Sequence, residues 1–130
     1  HGMSRFNPQP GQPNSVGPGK RPLNNMCPSI VLRSGRPVLA LGGAGGVRIP
    51  NSIFDVLTSY VLLGQTVDEA ITAPRLHCTG VLDVEVTKDW PAADADYLRS
   101  VGFKVKNGGT AMISAAEFDP VRYATHAVTR

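Results

Sequence analysis

An α+β fold is predicted by three observations on this chain. Short strand-like runs alternate with amphipathic stretches at helical spacing, turn residues fall between them, and no segment repeats another. At 130 residues with 42% hydrophobic and 18% charged residues, the chain is one domain at most and has enough apolar side chains for a core.

Residues 7–22 hold five prolines and three glycines, which excludes helix and central strand. Residues 1–22 are therefore expected to be an extended Pro/Gly-rich loop segment, followed by a domain over 23–130. A tail of this kind is usually disordered in a free-standing domain, so something outside the chain is expected to hold it. Residues 29–33 and 37–41 read as strands joined by a hairpin at Ser34-Gly35-Arg36. Ile53, Phe54, Leu57, Tyr60 and Val61 recur at helical spacing within 51–63 and give one buried face, with Gly64 ending the helix. Thr66 and Glu69 form a capping box for a short helix that must finish near Ala73, because Pro74 follows. Residues 81–87 alternate as a strand. Asp89 is the expected N-cap of a helix through Tyr97, Leu98 and Val101, with Gly102 at its C-terminal end. Residues 103–106, 111–117 and 122–128 read as closing antiparallel strands, separated by turns at Asn107-Gly108-Gly109 and Asp119-Pro120.

Composition excludes several function classes. The formal charge is +3, but nine Arg and four Lys are scattered, with only Lys20 and Arg21 adjacent and no aromatic interleaving, so a nucleic-acid footprint is absent. Apolar runs are too short to span a bilayer, and no signal peptide is visible. Cys27 and Cys78 lack CxxC spacing and read as two small buried thiols. His1, His77 and His126 have no metal-ligand spacing, so neither metal nor cofactor is expected. Ser29, Ser34 and Ser52 lack the setting of a nucleophilic serine. Asp83 and Glu85 share a strand face, which a solvated edge explains.

The most informative stretch is Gly42-Gly43-Ala44-Gly45-Gly46-Val47-Arg48-Ile49-Pro50. A strand leads into it and a helix follows. The missing Gly-Lys-Ser/Thr ending excludes a P-loop, and Arg48 stands where a dinucleotide fingerprint needs its third glycine. Two readings stay open: glycines that permit tight packing, or N–H groups exposed beside a helix start and suited to an anion or a developing oxyanion.

Taken in order, the Pro/Gly-rich loop, Gly-Lys-Arg-Pro-Leu-Asn-Asn-Met-Cys-Pro-Ser-Ile-Val (19–31), the hairpin, the glycine run and Ala-Pro-Arg-Leu-His (73–77) resemble the C-terminal part of the small subunit of γ-glutamyltranspeptidases, which are N-terminal-nucleophile hydrolases. The matching family runs read like Lys-Arg-Pro-Leu-Ser-Ser-Met-Ser-Pro-Thr-Ile-Val and Gly-Ser-Pro-Gly-Gly-Ser-Arg-Ile. The resemblance implies part of an αββα sandwich, with antiparallel strands and packed helices. It implies autoprocessing to a threonine nucleophile whose own α-amino group is the base. It also implies that Gly45 and Gly46 supply oxyanion-hole N–H groups, and that Asn24 and Asn25 replace a serine pair that binds the substrate α-carboxylate; the residues alone allow a turn or helix-cap pair at Asn24-Asn25 equally well. His77 lies in a shared segment and is expected to be structural.

Two departures bear on function. The nucleophile and the segment after it are expected upstream of His1, so this chain alone should be inactive. The family's Gln/Glu-Met-Asp-Asp-Phe is Gly2-Met3-Ser4-Arg5-Phe6 here: either Arg5 stands where an acid pairs with the donor's α-ammonium, a change of specificity, or the alignment slips in this short stretch. A guanidinium there repels an ammonium and attracts a carboxylate. The expected function is a fragment or subunit of an amidohydrolase or acyltransferase that contributes the oxyanion hole and acyl-donor pocket. The alternative is a catalytically silent structural or binding domain with the same fold. Expected partners are the large subunit and nucleophile segment, or self-association through an unpaired sheet edge, together with a small-molecule acyl donor. Family members are often periplasmic, secreted or anchored outside the cell.

Overall fold

Strands β1 (Ser29–Arg33) and β2 (Arg36–Ala44) form the expected hairpin in the computed structural model, which describes residues 2–130. Arg33 pairs with Arg36 across a two-residue turn in which both Ser34 and Gly35 have positive φ, matching the twist of the strands. The far side of β2 pairs antiparallel with β6 (Met112–Asp119), and β6 with β7 (Ala124–Thr129), giving a four-stranded sheet in the order β1-β2-β6-β7.

One face of this sheet is covered by α1 (Ile49–Leu57) and α2 (Val67–Thr72). Leu39, Leu41, Ile113 and Ala115 from the strands meet Ile53, Val56, Ala70 and Ile71 from the helices. Leu39, Ile53, Ile71 and Ile113 are the largest of the fully buried side chains, each worth about 1.5–3 kcal/mol of burial. The other face is bare. Ile30 is 68% exposed and Leu32 61%, and a shallow groove of about 690 Å³ runs over Ile30, Ala40, Gly42, Ser114 and Ala116.

The expected single helix over 51–63 starts earlier, at Ile49, with Pro50 in its first turn, and passes into a π-helical turn at Thr58–Leu62. Tyr60 in that turn is buried and donates to Glu117 of β6 at 2.6 Å; burial first, then this carboxylate, pushes its phenol up to about 12. The capping box forms at α2: Glu69 N–H donates to Thr66 Oγ1 at 3.3 Å, and Thr66 N–H donates to Glu69 Oε2 at 2.8 Å.

A second sheet departs from expectation. It contains β3 (Leu76–Cys78), a strand not anticipated, β4 (Asp83–Val86) and β5 (Lys104–Asn107), in the order β3-β4-β5. The β5 strand pairs parallel with β4, not antiparallel with the closing strands, because α3 (Ala92–Ser100) carries the chain back between them. Asp89 does not cap α3; Pro91 holds that position, and Asp89 accepts from Arg130 at 2.8 Å. That bond, first among its causes, holds the Asp89 carboxyl down at about 2. Asp83 and Glu85 lie on the central strand of this sheet, not on a solvated edge, and Glu85 is partly buried.

Residues 7–22 carry no helix or strand; turns fold them back so that Asn7 bridges Ser15, whose hydroxyl is buried and donates to Gln9 O. Among the described residues, no helix is long and apolar enough to cross a membrane.

Candidate oxyanion site

Strand pairing in β2 stops at Ala44, opposite Met112, and a 3₁₀ turn at Gly46–Arg48 leads into α1. Gly45 and Gly46 occupy the junction, with φ of 152° and 64°. At Gly45 glycine is obligatory for two reasons: its φ disfavours a side chain, and an added Cβ would lie 2.6 Å from Ala111 Cα. At Gly46 the space is open apart from Arg5, whose Nη2 lies 3.8 Å from where a Cβ would sit. Among the described residues, neither N–H of this pair belongs to the sheet ladder.

The loop is braced from two directions. Arg48 donates to Glu85 Oε2 from Nη2 at 2.7 Å and from Nε at 3.3 Å, tying the loop to the second sheet. Lys106 Nζ adds an ion pair at 3.7 Å. The Arg48 hydrogen bond holds the Glu85 carboxyl below the usual range. On the other side stands Ala111, just ahead of β6. Its N–H donates to the buried Ser52 Oγ at 3.1 Å, and its carbonyl accepts from Arg75 Nη2 at 3.4 Å. Arg75 is only 4% exposed and also donates to Ile71 O at 2.7 Å; burial lowers its affinity for its proton. Nearby, burial pushes the Asp55 carboxyl up to about 6, against the opposing pull of the Leu76 N–H bond at 3.2 Å and the Arg75 charge.

Of the residues singled out from sequence, the structure brings Arg5 to the glycine pair and leaves Asn24 and Asn25 without a hydrogen bond to it among the described residues. Asn24 Oδ1 accepts from Met26 N–H at 3.0 Å, a local turn, while Asn25 Nδ2 is buried without a partner among the described residues. His77 is 6% exposed, with Nδ1 3.1 Å from Asn51 Oδ1, a packed position on β3. His126 faces solvent beside Asp68 at 2.7 Å, and His1 lies outside the described residues. Cys27 and Cys78 are free and half-buried, where buried thiols are expected. Among the described residues, no three His, Cys, Asp or Glu gather as a metal site. Sequence reasoning missed the bracing residues Ser52, Arg75 and Ala111, and their only signal was position: Ser52 in the helix after the glycines, Arg75 after the proline that ends α2.

The family model described as Gamma-glutamyltranspeptidase matches residues 1–126. The glutathione hydrolase proenzyme of Escherichia coli (strain K12) is 34% identical over 114 residues, covering 79% of this chain and 20% of that protein. The acylase ACY 1 proenzyme of Pseudomonas sp. (strain SE83) is 35% identical over 103 residues, covering 79% of this chain and 18% of that protein. The chain thus spans a fifth or less of these curated relatives, which are larger proenzymes. The structure of the γ-glutamyltranspeptidase of Pseudomonas nitroreducens complexed with L-DON superposes with a TM-score of 0.84 at 28% identity, covering 98% of this chain and 74% of that one. The fold is the α+β fold of N-terminal-nucleophile hydrolases, and the chain belongs to the γ-glutamyltranspeptidase family.

Proposed function

We propose that this chain supplies the oxyanion hole and part of the acyl-donor pocket of a γ-glutamyltranspeptidase-like amidohydrolase or acyltransferase, with the nucleophilic threonine provided elsewhere in the parent protein. The observation that carries this is the end of strand pairing at Ala44, which leaves the Gly45 and Gly46 N–H groups outside the ladder beside the start of α1. In the reaction, the threonine hydroxyl attacks the donor amide carbon and its α-amino group takes the proton. The carbonyl oxygen becomes an oxyanion, and the two N–H groups stabilise it. Collapse expels the amine, which takes the proton, and water or an acceptor amine then releases the acyl group.

Arg5 sets the acyl group. Its guanidinium lies beside Gly46, with no ion pair to an acid among the described residues. A cation there favours a donor bearing a carboxylate without an α-ammonium, of the glutaryl type, through a bidentate fork. Asn24 and Asn25 amides can donate to the same carboxylate. The two relatives carry the names of a glutathione hydrolase and an acylase, so a change of acyl group falls within the range of those names.

The test assays the complete, autoprocessed parent protein with γ-glutamyl and glutaryl anilides, beside Arg5→Asp. Glutaryl preference that reverses in Arg5→Asp is expected. Preference for the γ-glutamyl donor, unchanged by the substitution, puts Arg5 outside the pocket. No turnover of either anilide by the processed protein overturns the enzymatic role in favour of a silent domain.

A further inference from the structure

We infer that Ser52 is a positioning residue for the oxyanion loop, acting through Ala111; this rests on Gly45 and Gly46 forming an oxyanion hole. Ser52 sits on α1 with 0% exposure. A helical serine ordinarily turns its hydroxyl to solvent or back to its own helix carbonyl. Here Ser52 Oγ instead accepts the Ala111 N–H at 3.1 Å, across 59 residues of sequence.

Ala111 is the floor under Gly45. Its Cα and Cβ lie 2.6 Å and 2.7 Å from where a Gly45 Cβ would stand, so the Gly45 peptide cannot move toward it. Ser52 fixes one polar group of Ala111 and Arg75 fixes the other, its carbonyl, at 3.4 Å. Docking of α1 does not depend on Ser52, because Ile49, Ile53 and Val56 already bury that face against the sheet. What Ser52 adds is placement. Without it the buried Ala111 N–H has no acceptor, and the segment that fixes the Gly45 peptide shifts to find one. Donors in an oxyanion hole act only when held within about 0.5 Å of the productive position.

The experiment uses the processed parent enzyme, with active sites counted by covalent titration. Ser52→Ala removes the acceptor, and Ser52→Cys keeps a weaker, longer one. Gly46→Val is the control on the oxyanion hole itself: a β-branched residue at φ 64° strains the backbone there and turns the N–H away from its present direction. The probe is a boronic-acid analogue of whichever anilide the enzyme turns over, since its tetrahedral adduct places an oxygen where the oxyanion forms. For Ser52→Ala, kcat per titrated site should fall roughly tenfold, part of the 10²–10³ that loss of a whole donor costs, and the boronate Ki should rise by the same factor. KM should stay within about twofold, and Ser52→Cys should fall between the variant and the unmodified enzyme.

A merely structural serine predicts something else: lower yield or melting temperature, with kcat per titrated site and boronate Ki unchanged. That result overturns the inference. If Ser52→Ala gives no processed enzyme, Ser52→Cys decides it by the same two readouts. Weaker boronate binding in Gly46→Val but not in the Ser52 variants removes Ser52 alone. Unchanged boronate binding in Gly46→Val removes the oxyanion hole, and the route through Gly45 with it.

Discussion

The glycine loop and the Asn24-Asn25 segment are both assigned to one candidate site, yet they are held very differently. Gly45 rests on Ala111, which Ser52 and Arg75 grip from both sides, and Arg48 ties the loop to Glu85 on the second sheet. The asparagine pair lies in a stretch with no helix or strand. Asn24 turns back on Met26 N–H, and the neighbouring Leu23 and Met26 are 72% and 71% exposed. The difference is one of tolerance. A pair of N–H dipoles aimed at developing charge must be fixed by the core of the chain that carries it. A segment proposed to bind a carboxylate through side-chain amides can take its final shape from whatever packs against it.

The comparison breaks most easily at Gly45. Gly45→Ala sets a Cβ against the Ala111 backbone at an unfavourable φ and should cost at least about 1–3 kcal/mol by urea unfolding. Gly42→Ala, three residues earlier with open space around it, should stay within about 0.5 kcal/mol. Equal costs at the two positions would mean that the loop is not braced as described.

A smaller effect is expected at Glu85. Its carboxyl is held below the usual range by Arg48, so its contribution is present above the ordinary carboxylate value and lost as pH falls through the lowered one. Glu85→Gln should speed amide hydrogen exchange in the loop at neutral pH, and the difference from the unmodified chain should close in acid. Exchange that is faster in the variant by the same factor at every pH would contradict the ion pair.

Asp55 has the opposite sign. Its carboxyl is pushed up to about 6 from 3.8, so between those values the folded chain holds a proton that the unfolded chain has released. Stability should therefore fall as pH rises from about 4 to about 6. Asp55→Asn can still accept the Leu76 N–H and should flatten that slope in a series of urea midpoints. An unchanged slope would place Asp55 in water.

Smallest of all is Asn24→Ala, expected to alter stability by less than about 0.5 kcal/mol while raising KM for the donor in the parent enzyme. A stability loss as large as that of Gly45→Ala would erase the contrast between the two regions.

What the sequence disclosed divides along the same line. The hairpin, the capping box at Thr66 and the glycine junction were readable because each is written in a few adjacent residues. The parallel pairing of β5 with β4 was not, since it depends on a partner beyond an intervening helix. Asp89 looked like a cap until Arg130, at the far end of the chain, took its carboxylate. Glu85 looked like an edge residue because Arg48, its partner, is 37 positions away. The glycine loop itself was visible as a motif, but its bracing through Ser52 and Ala111 exists only once the chain has folded.

The central claim, that the Gly45 and Gly46 N–H groups receive the oxyanion, is tested most directly by a crystal structure of the processed parent enzyme with a boronate bound to its threonine. The account predicts a boronate oxygen about 2.7–3.1 Å from both glycine nitrogens. An oxygen held by other donors, with both glycine N–H groups bonded to protein carbonyls, would contradict it.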